Sequence, residues 1–400
     1  MLNLLIISSV YEGYLENFHN RDIKFPGESY ITTNENMLAD STEFIASYVR
    51  TLRKKGVNAN AVIANDSILQ RKWTEEHGDN GENILFSQVK HYSPDIVWIE
   101  DLRFTDDDFL SHLKTRFPYI RLLIAYHCAP VTPGSFSKFS YFDFILTCTP
   151  GLKADFESRG IRCYLVYHGF DTDLLPAPSA IIKTRSDVLF SGTMKQGRGY
   201  HLERIMLIDY LISNGLKISL YINLEKGGKL TLKKMLRFIY KFLKTFGLSH
   251  PEKISRYLEY GAEPVISYPE SILRNYSKPI FGKEMLDLLA GSKIVLNNHG
   301  QVAGQFAGNM RLFEATGAGS CLVTDNKSNI KDLFEPGKEI IVYDNNEDCL
   351  NKITWLLQND EERIKIAKAG HQRTLKDHTV SHRCDTIINI LTHEFSVNQR

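Results

Sequence analysis

Short apolar runs at residues 3–9, 60–64, 95–99, 120–126, 143–147 and 163–167 alternate with helical or turn-rich segments over the first 170 residues, the pattern of βαβ units around a parallel sheet. The opening MLNLLIISSV lacks a basic leader region and a small-residue cleavage site, so it reads as a first buried strand. Between the first two runs, TTNENMLADSTEFIASYVRTLRKKG has a capping box at Thr32 and Glu35. Its apolar residues Met37, Leu38, Phe44, Ile45, Tyr48, Val49 and Leu52 recur at helical spacing up to Gly56, which predicts one long amphipathic helix. The stretch Leu174 to Ser186, LLPAPSAIIKTRS, has no periodicity and reads as a linker. Alternation then resumes with DVLFSGTM, a helix over 200–214, KISLYI, KIVLN at 293–297, SCLVTD at 320–325 and EIIVYD at 339–344. The pattern predicts an α/β protein of two Rossmann-like, doubly wound domains, residues 1–180 and 181–381. Open sheets of this class bind ligands outside the carboxyl ends of their strands, so a central cleft between the two domains is expected.

Composition narrows the class. The chain has 400 residues, 43% hydrophobic and 24% charged, which excludes a disordered or disulfide-scaffold protein. Basic and acidic residues number 48 and 47, so a nucleic-acid partner is not expected. Six scattered cysteines with no C-x-x-C pair read as reduced thiols of a cytoplasmic protein, and no metal and no cofactor is expected. No apolar stretch reaches the roughly 18 residues of a membrane span.

The candidate chemistry lies mostly in the second half. NMRLFEATGAGSCLVTD, from Asn309 to Asp325, sets Glu314 within a short helix before a buried strand. A carboxylate there can accept both hydroxyls of a ribose; the alternative is a carboxylate paired with Arg311 or solvent. Gly304 and Gly308 precede that helix, where free backbone N–H groups can hold a diphosphate. In SGTMKQGRGYHLERI a strand ends at Gly192, and Lys195, Arg198 and Arg204 follow. Lys195 and Arg198 are the first candidates to stabilise a departing phosphate; Arg204 reads equally as a helix surface residue. His127 follows a strand of the first domain directly and suits contact with a sugar or acceptor, although a lone histidine is more often structural.

Two further patterns each admit two readings. In FTDDDFL, Asp106 to Asp108 mimic a metal-binding D-x-D, but Thr105 and Asp108 form a capping box that accounts for acids in a first helical turn. Residues 226–251 hold seven basic side chains and no acidic one. Leu232, Met235, Leu236, Ile239, Leu243 and Phe246 recur at helical spacing opposite Lys233, Lys234, Arg237, Lys241 and Lys244. That suits either an anionic membrane surface met by Lys233, Lys234, Arg237 and Lys241, or a helix packed on its own domain with a solvated basic face.

DVLFSGTMKQGRGYHLERI, KEMLDLLAGSKIVLNNHG, NMRLFEATGAGSCLVTDN and AKAGHQRTLKDHTVSHR resemble, in that order, the carboxyl half of CgeB-like glycosyltransferases, relatives of the large retaining GT-B group that uses nucleotide sugars. YHGFDTDLL, Tyr167 to Leu175, is similar to the turn closing the first domain in that group. The resemblance implies a GT-B architecture, a nucleoside diphosphate sugar as donor, a glycan or lipid-linked acceptor, and a metal-independent, retaining transfer in surface polysaccharide or glycoconjugate synthesis; the membrane reading of the basic helix would place it at the inner face of the cell membrane. The resemblance also implies Glu314 at the ribose, the loop before Asn309 at the diphosphate, Lys195 or Arg198 near the leaving phosphate, and a last helix, about 382–400, packed back on the first domain. The second glutamate of the larger group, eight residues before the ribose-binding one, is Phe306 here, and Asn309 with Arg311 is its candidate replacement. A non-catalytic nucleotide-sugar-binding scaffold and a sugar-nucleotide epimerase are the rival expectations.

Overall fold

The computed structural model describes residues 2–21, 27–78, 81, 83–131, 133–175, 185–197, 201–225, 227–247 and 264–397. The chain forms two compact units: Met1–Pro178 with Ile280–Leu286 and Thr374–Arg400, and Ser179–Pro279 with Asp287–Arg373. Most of the expected linker, 176–184, lies outside the described residues.

The first unit is a six-stranded, all-parallel sheet in the order β2-β1-β3-β4-β5-β6, from β1 (Asn3–Ser8), β2 (Asn58–Ile63), β3 (Ile96–Ile99), β4 (Leu122–Tyr126), β5 (Phe144–Thr147) and β6 (Cys163–Leu165). β1, β3, β4 and β5 carry unbroken apolar runs because both faces are covered, whereas the edge strand β2 begins with Asn58 and Asn60 alternating with Ala59 and Ala61. Leu4, Ile6, Trp98 and Ile124 pack on one side with helices Tyr30–Asp40, Phe44–Lys54 and Val380–Val397. Leu5, Ile7, Val97 and Leu123 pack on the other with Ile84–Tyr92 and Asp107–Arg116.

The last helix turns Val380, Cys384, Ile387 and Leu391 into this core. Near its end the buried Glu394 binds Arg162 at 2.7 Å and accepts from the Tyr164 hydroxyl. Where the chain returns, Thr379 lies so close to Gly169 that a Cβ there would sit 2.7 Å from a backbone carbon, so only glycine fits. The adjoining Phe170 and His378–Val380 exchange backbone hydrogen bonds, and Asp171 pairs with Arg50 at 2.6 Å.

Two local expectations are corrected. The long helix is two, Tyr30–Asp40 and Phe44–Lys54. Ser41 is extended between them, and the Arg50 guanidinium donates to the carbonyls of Leu38 and Ser41, which fixes the bend. Ser29, not Thr32, caps the first of the pair. At the acidic triplet the cap is Asp106, whose carboxylate accepts from Phe109 N at 2.8 Å, and Asp107 and Asp108 occupy the first turn. Extended backbone at Asp106 makes it the last non-helical residue, which displaces Thr105 from that role.

The second unit carries β7 (Ser186–Thr193), β8 (Ser219–Asn223), β9 (Tyr276–Ser277), β10 (Ser292–Leu296), β11 (Cys321–Asp325) and β12 (Ile341–Tyr343) in the order β12-β11-β10-β7-β8-β9, all parallel. From its first strand outward this is the 3-2-1-4-5-6 order of dinucleotide-binding folds, and the direction of winding reverses between β7 and β10. Val188, Phe190, Ile294, Leu296 and Val323 form its buried centre. At two residues, β9 is too short to show any alternation in sequence. No helix among the described residues is long and apolar enough to cross a membrane.

Candidate functional site

The winding reversal of the second unit sets the ends of β7 and β10 side by side, and Arg204 ties them together. Its guanidinium donates to Thr193 O (3.0 Å) from one strand end, and to Asn298 O (2.7 Å) and His299 O (3.2 Å) from the other. Arg204 is thus a structural clamp at the switch point, which replaces its reading as a helix surface residue. Gly192 is the penultimate residue of β7, one short of its end at Thr193, and the exposed Lys195 follows two residues beyond the strand. Lys195 O accepts from His201 Nδ1 at 2.9 Å; burial, then the charge of Arg204, push His201 down to about 4, so the ring is neutral near pH 7. Arg198 lies outside the described residues.

After β10, the polar run Asn297-Asn298-His299 is buried and each member is used. Asn298 Nδ2 donates to Tyr343 Oη at 3.0 Å, and that hydroxyl donates to Asn297 O. His299 donates to Asp325 Oδ1 from its backbone (2.9 Å) and its ring Nδ1 contacts the same oxygen at 2.7 Å, which couples β10 to β11. The other carboxylate oxygen of Asp325 lies 3.3 Å from Lys327 Nζ, which donates to Gly304 O at 2.7 Å. Burial would raise the Asp325 carboxyl, but the His299 hydrogen bonds and the Lys327 charge outweigh it and bring it to about 2. His299 Nε2 is buried with no hydrogen-bond partner.

The loop from Gly300 to Gly308 is held from below by residues 327–329. Ser328 Oγ donates to Gln305 O (2.8 Å), while Asn329 receives Ala307 N at 2.6 Å and returns a bond to Ala307 O at 2.9 Å. Gly304 has φ +55°, a left-handed turn that favours glycine. The loop leads into the helix Met310–Gly317, whose N-cap position is Asn309. Asparagine usually caps with its own side chain, but Asn309 Nδ2 donates instead to Asn297 Oδ1 at 2.9 Å, and no side chain caps this helix. Leu312 N donates to Asn309 O at 3.4 Å, while the N–H groups of Met310 and Arg311 keep their capacity for an outside acceptor, and the helix dipole favours an anion.

On the same helix, Arg311 Nη1 lies 2.9 Å from Glu314 Oε2, with side chains 15% and 22% exposed. The ion pair lacks hydrogen-bond alignment, and Arg311 Nε is buried without a partner. Glu314 therefore adopts the paired alternative, while the incomplete satisfaction of Arg311 leaves donors for an anion. Phe306 is half-buried in the loop.

Gly192, Lys195, Gly304, Gly308, Asn309, Arg311 and Glu314 thus all belong to the second unit, on its first and fourth strand ends and the segment after β10. His127 belongs to the first. It follows β4, and Thr147 Oγ1 donates to its carbonyl at 2.7 Å. Its ring packs edge-on to Phe139 and Phe156, Nε2 is buried without a partner, and burial pushes it down to about 4. It is a neutral imidazole at pH 7.

Sequence reasoning missed His299, Asp325, Lys327 and the clamp role of Arg204. The run NNHG after a buried strand was the available signal. It also missed the switch point of the first unit, between β1 and β3. There Ser8 Oγ donates to Glu100 Oε2 at 2.6 Å, and Arg103 holds Asp101 at 2.6 Å. Burial raises Glu100, whereas the bonds from Arg103 and Ser9 overcome burial and lower Asp101.

One group among the described residues offers three metal-capable atoms. Cys128, Cys148 and His168 follow β4, β5 and β6 in the first unit, with ligand atoms within 4.8 Å of one another. Burial holds the Cys128 thiol well above its ordinary range, and Arg383 Nε donates to His168 O at 3.0 Å, so a cation would displace a proton beside a guanidinium.

The basic helix, Gly228–Thr245, corrects one expectation. Lys233 does not face outward: its ammonium pairs with Glu225 and donates to Gln196 O, at 16% side-chain exposure. Arg237 is half-buried, Lys234 donates to Ser267 Oγ at 2.7 Å, and Lys241 is exposed. Lys233 turns inward because a buried carboxylate waits at the end of β8, a pairing that the helix pattern alone does not reveal.

Residues 237–389 match a family model described as glycosyl transferase-like. No curated protein matches the chain. Among solved structures, HepE (Alr3699) of Anabaena in complex with UDP-glucose is similar over 98% of this chain and 100% of its own, with TM-score 0.58 and 13% identity. Sucrose-phosphate synthase of Thermosynechococcus elongatus is similar over 99% and 100%, with TM-score 0.57 and 8% identity. A glycosyltransferase of Rickettsia africae aligns over 98% of each chain, with TM-score 0.55 and 11% identity. The fold is that of the GT-B glycosyltransferases: two Rossmann-like domains, each built on a six-stranded parallel sheet with flanking helices.

Proposed function

We propose that the protein is a glycosyltransferase that binds a nucleoside diphosphate sugar at the carboxyl edge of its second sheet and transfers the sugar to a hydroxyl of a glycan or glycolipid. The observation that carries this reading is the uncapped helix start at Met310, at the winding reversal, with Arg311 and Glu314 one turn in. The family match over 237–389 and the UDP and UDP-glucose complexes of HepE support it.

In this reading the diphosphate lies on the N–H groups that follow Gly308, with Lys195 and Arg311 as cations, and Glu314 accepts the ribose hydroxyls. Arg198, three residues after Lys195 in the sequence, is a further candidate cation. The anomeric carbon–oxygen bond breaks with its electron pair passing to the diphosphate. The acceptor oxygen bonds to the anomeric carbon, and its proton passes to the departing phosphate. Fixed donors stabilise the developing charge without reorganising, which suits a metal-independent transfer. Retention of configuration and a place in surface polysaccharide or glycoconjugate synthesis belong to the same proposal, with Gly192 and Gly304 letting backbone approach the donor and His127 or Glu100 as acceptor-side groups.

Phe306 and the Arg311–Glu314 pair favour one rival, a binding scaffold without turnover. Incubation with a panel of nucleoside diphosphate sugars and glycan acceptors, read by chromatography, separates them. The proposal expects one donor to be consumed with release of free nucleoside diphosphate and glycosylated acceptor. Binding without turnover would establish the scaffold, and interconversion of nucleotide sugars with no acceptor product would establish an epimerase.

A further inference from the structure

The helix Gly228–Thr245 leaves its apolar side outward. Phe238 is 72% exposed, Phe246 64%, and Leu232, Met235, Ile239 and Phe242 lie on the same face, spaced three, four or seven residues apart. The opposite side faces its own unit: Leu230 packs against the core, Leu236, Tyr240 and Leu243 are half-buried, and Lys233 reaches Glu225. A solvated surface helix shows the reverse arrangement. A stripe of six large apolar side chains along one helix is not the scattered exposure of ordinary surfaces.

Charge selects the occupant. The exposed charged side chains of this helix are Lys229, Lys234, Lys241 and Lys244, with no acid between 228 and 245. Lys229 lies beyond one edge of the apolar stripe and Lys234 with Lys241 beyond the other, so their stems can carry ammonium groups to the level of lipid headgroups while the aromatic side lies among acyl chains. A second copy fits poorly: a twofold pairing of this face on itself sets lysines against lysines with no carboxylate to offset them. A nucleic acid would leave the aromatic stripe wet.

We propose that this helix lies in the plane of an anionic lipid surface, anchored by Phe238, Phe242 and Phe246 and framed by Lys234 and Lys241. The contact is made by the apolar side, with Lys233 excluded from it. Transfer to a lipid-linked acceptor, one form of the function proposed above, would then take place on a surface rather than in bulk, but the docking does not depend on it.

Co-sedimentation of the full chain with vesicles tests this, using phosphatidylcholine alone and phosphatidylcholine with phosphatidylglycerol. The expected result is binding to the anionic vesicles, at least about tenfold weaker on neutral ones and about tenfold weaker in 0.5 M salt. Phe238→Ser with Phe242→Ser should reduce binding to anionic vesicles at least tenfold while nucleotide binding stays unchanged. No binding of the parent to anionic vesicles at low salt overturns the proposal. So does undiminished binding of the double variant, or a concentration-dependent dimer, seen by ultracentrifugation, that the same double variant abolishes. Loss of nucleotide binding in the parent would count against the donor site and not against the docking helix.

Discussion

Glu314→Ala is expected to weaken binding of a nucleoside diphosphate about 100-fold while leaving the protein folded. A hydrogen bond to a charged group contributes roughly 1.5–3 kcal/mol, so two ribose hydroxyls on one carboxylate amount to about 3 kcal/mol, or two orders of magnitude. Stability should change little, by less than about 1 kcal/mol, because the Arg311–Glu314 pair is part-exposed, short in sequence and without good hydrogen-bond alignment. Arg311→Met separates the contributions of the two residues. If Arg311 serves the phosphates, it should also weaken the diphosphate, but affect a nucleoside lacking phosphate far less. Calorimetric titration of parent and variants measures both effects. A dissociation constant for Glu314→Ala within twofold of the parent removes Glu314 from the site.

Asp325→Ala is expected to cost roughly 3 kcal/mol of stability, because it strands buried partners on two elements. The carboxylate contacts His299 through both backbone and ring, accepts from Thr324 Oγ1 at 3.2 Å, and lies beside Lys327, which in turn holds the loop at Gly304. Asp325→Asn keeps the acceptor and loses the charge, so its cost should be smaller and dependent on pH. The carboxyl titrates at about 2 in the fold. Its value in an unfolded chain is about 3.9. The depressed value means that its stabilisation is present above about pH 4 and is lost as pH falls toward 2, roughly half of it by pH 3. The gap in urea midpoint between parent and Asp325→Asn should therefore be constant from pH 7 to 5 and narrow below 4. A gap that widens on acidification would show that Asp325 is not held in its charged form.

The strands were legible because parallel sheets are buried on both faces: the runs at 3–9 and 293–297 need no partner to be recognised. Helix boundaries were less so. Residues 30–54 carry one continuous helical pattern, and the break at Ser41 depends on Arg50 reaching back to two carbonyls, a tertiary contact with no periodic trace. For the candidate site, the i,i+3 spacing of Arg311 and Glu314 already contained their pairing as an alternative. The His299–Asp325–Lys327 cluster was not readable, since its members lie at the ends of two strands whose adjacency only the sheet order supplies. The inward turn of Lys233 was hidden for the same reason: its partner Glu225 sits beyond the helix start, at the end of another strand. Sequence periodicity also grouped Leu236 and Leu243 with Leu232, Met235 and Ile239 opposite Lys233, whereas the structure divides that set: Leu236 and Leu243 are half-buried on the side of Lys233, and the other three are exposed.

A nucleoside diphosphate on the backbone at the winding reversal of the second unit would leave a footprint in amide exchange. Hydrogen–deuterium exchange with and without UDP or the preferred nucleotide tests this placement most directly. Exchange should slow at residues 297–312 and at the β7 end, 192–197, and Glu314→Ala should abolish the effect under subsaturating nucleotide. Protection confined to the first unit, or none anywhere at millimolar nucleotide for every base, would contradict that placement.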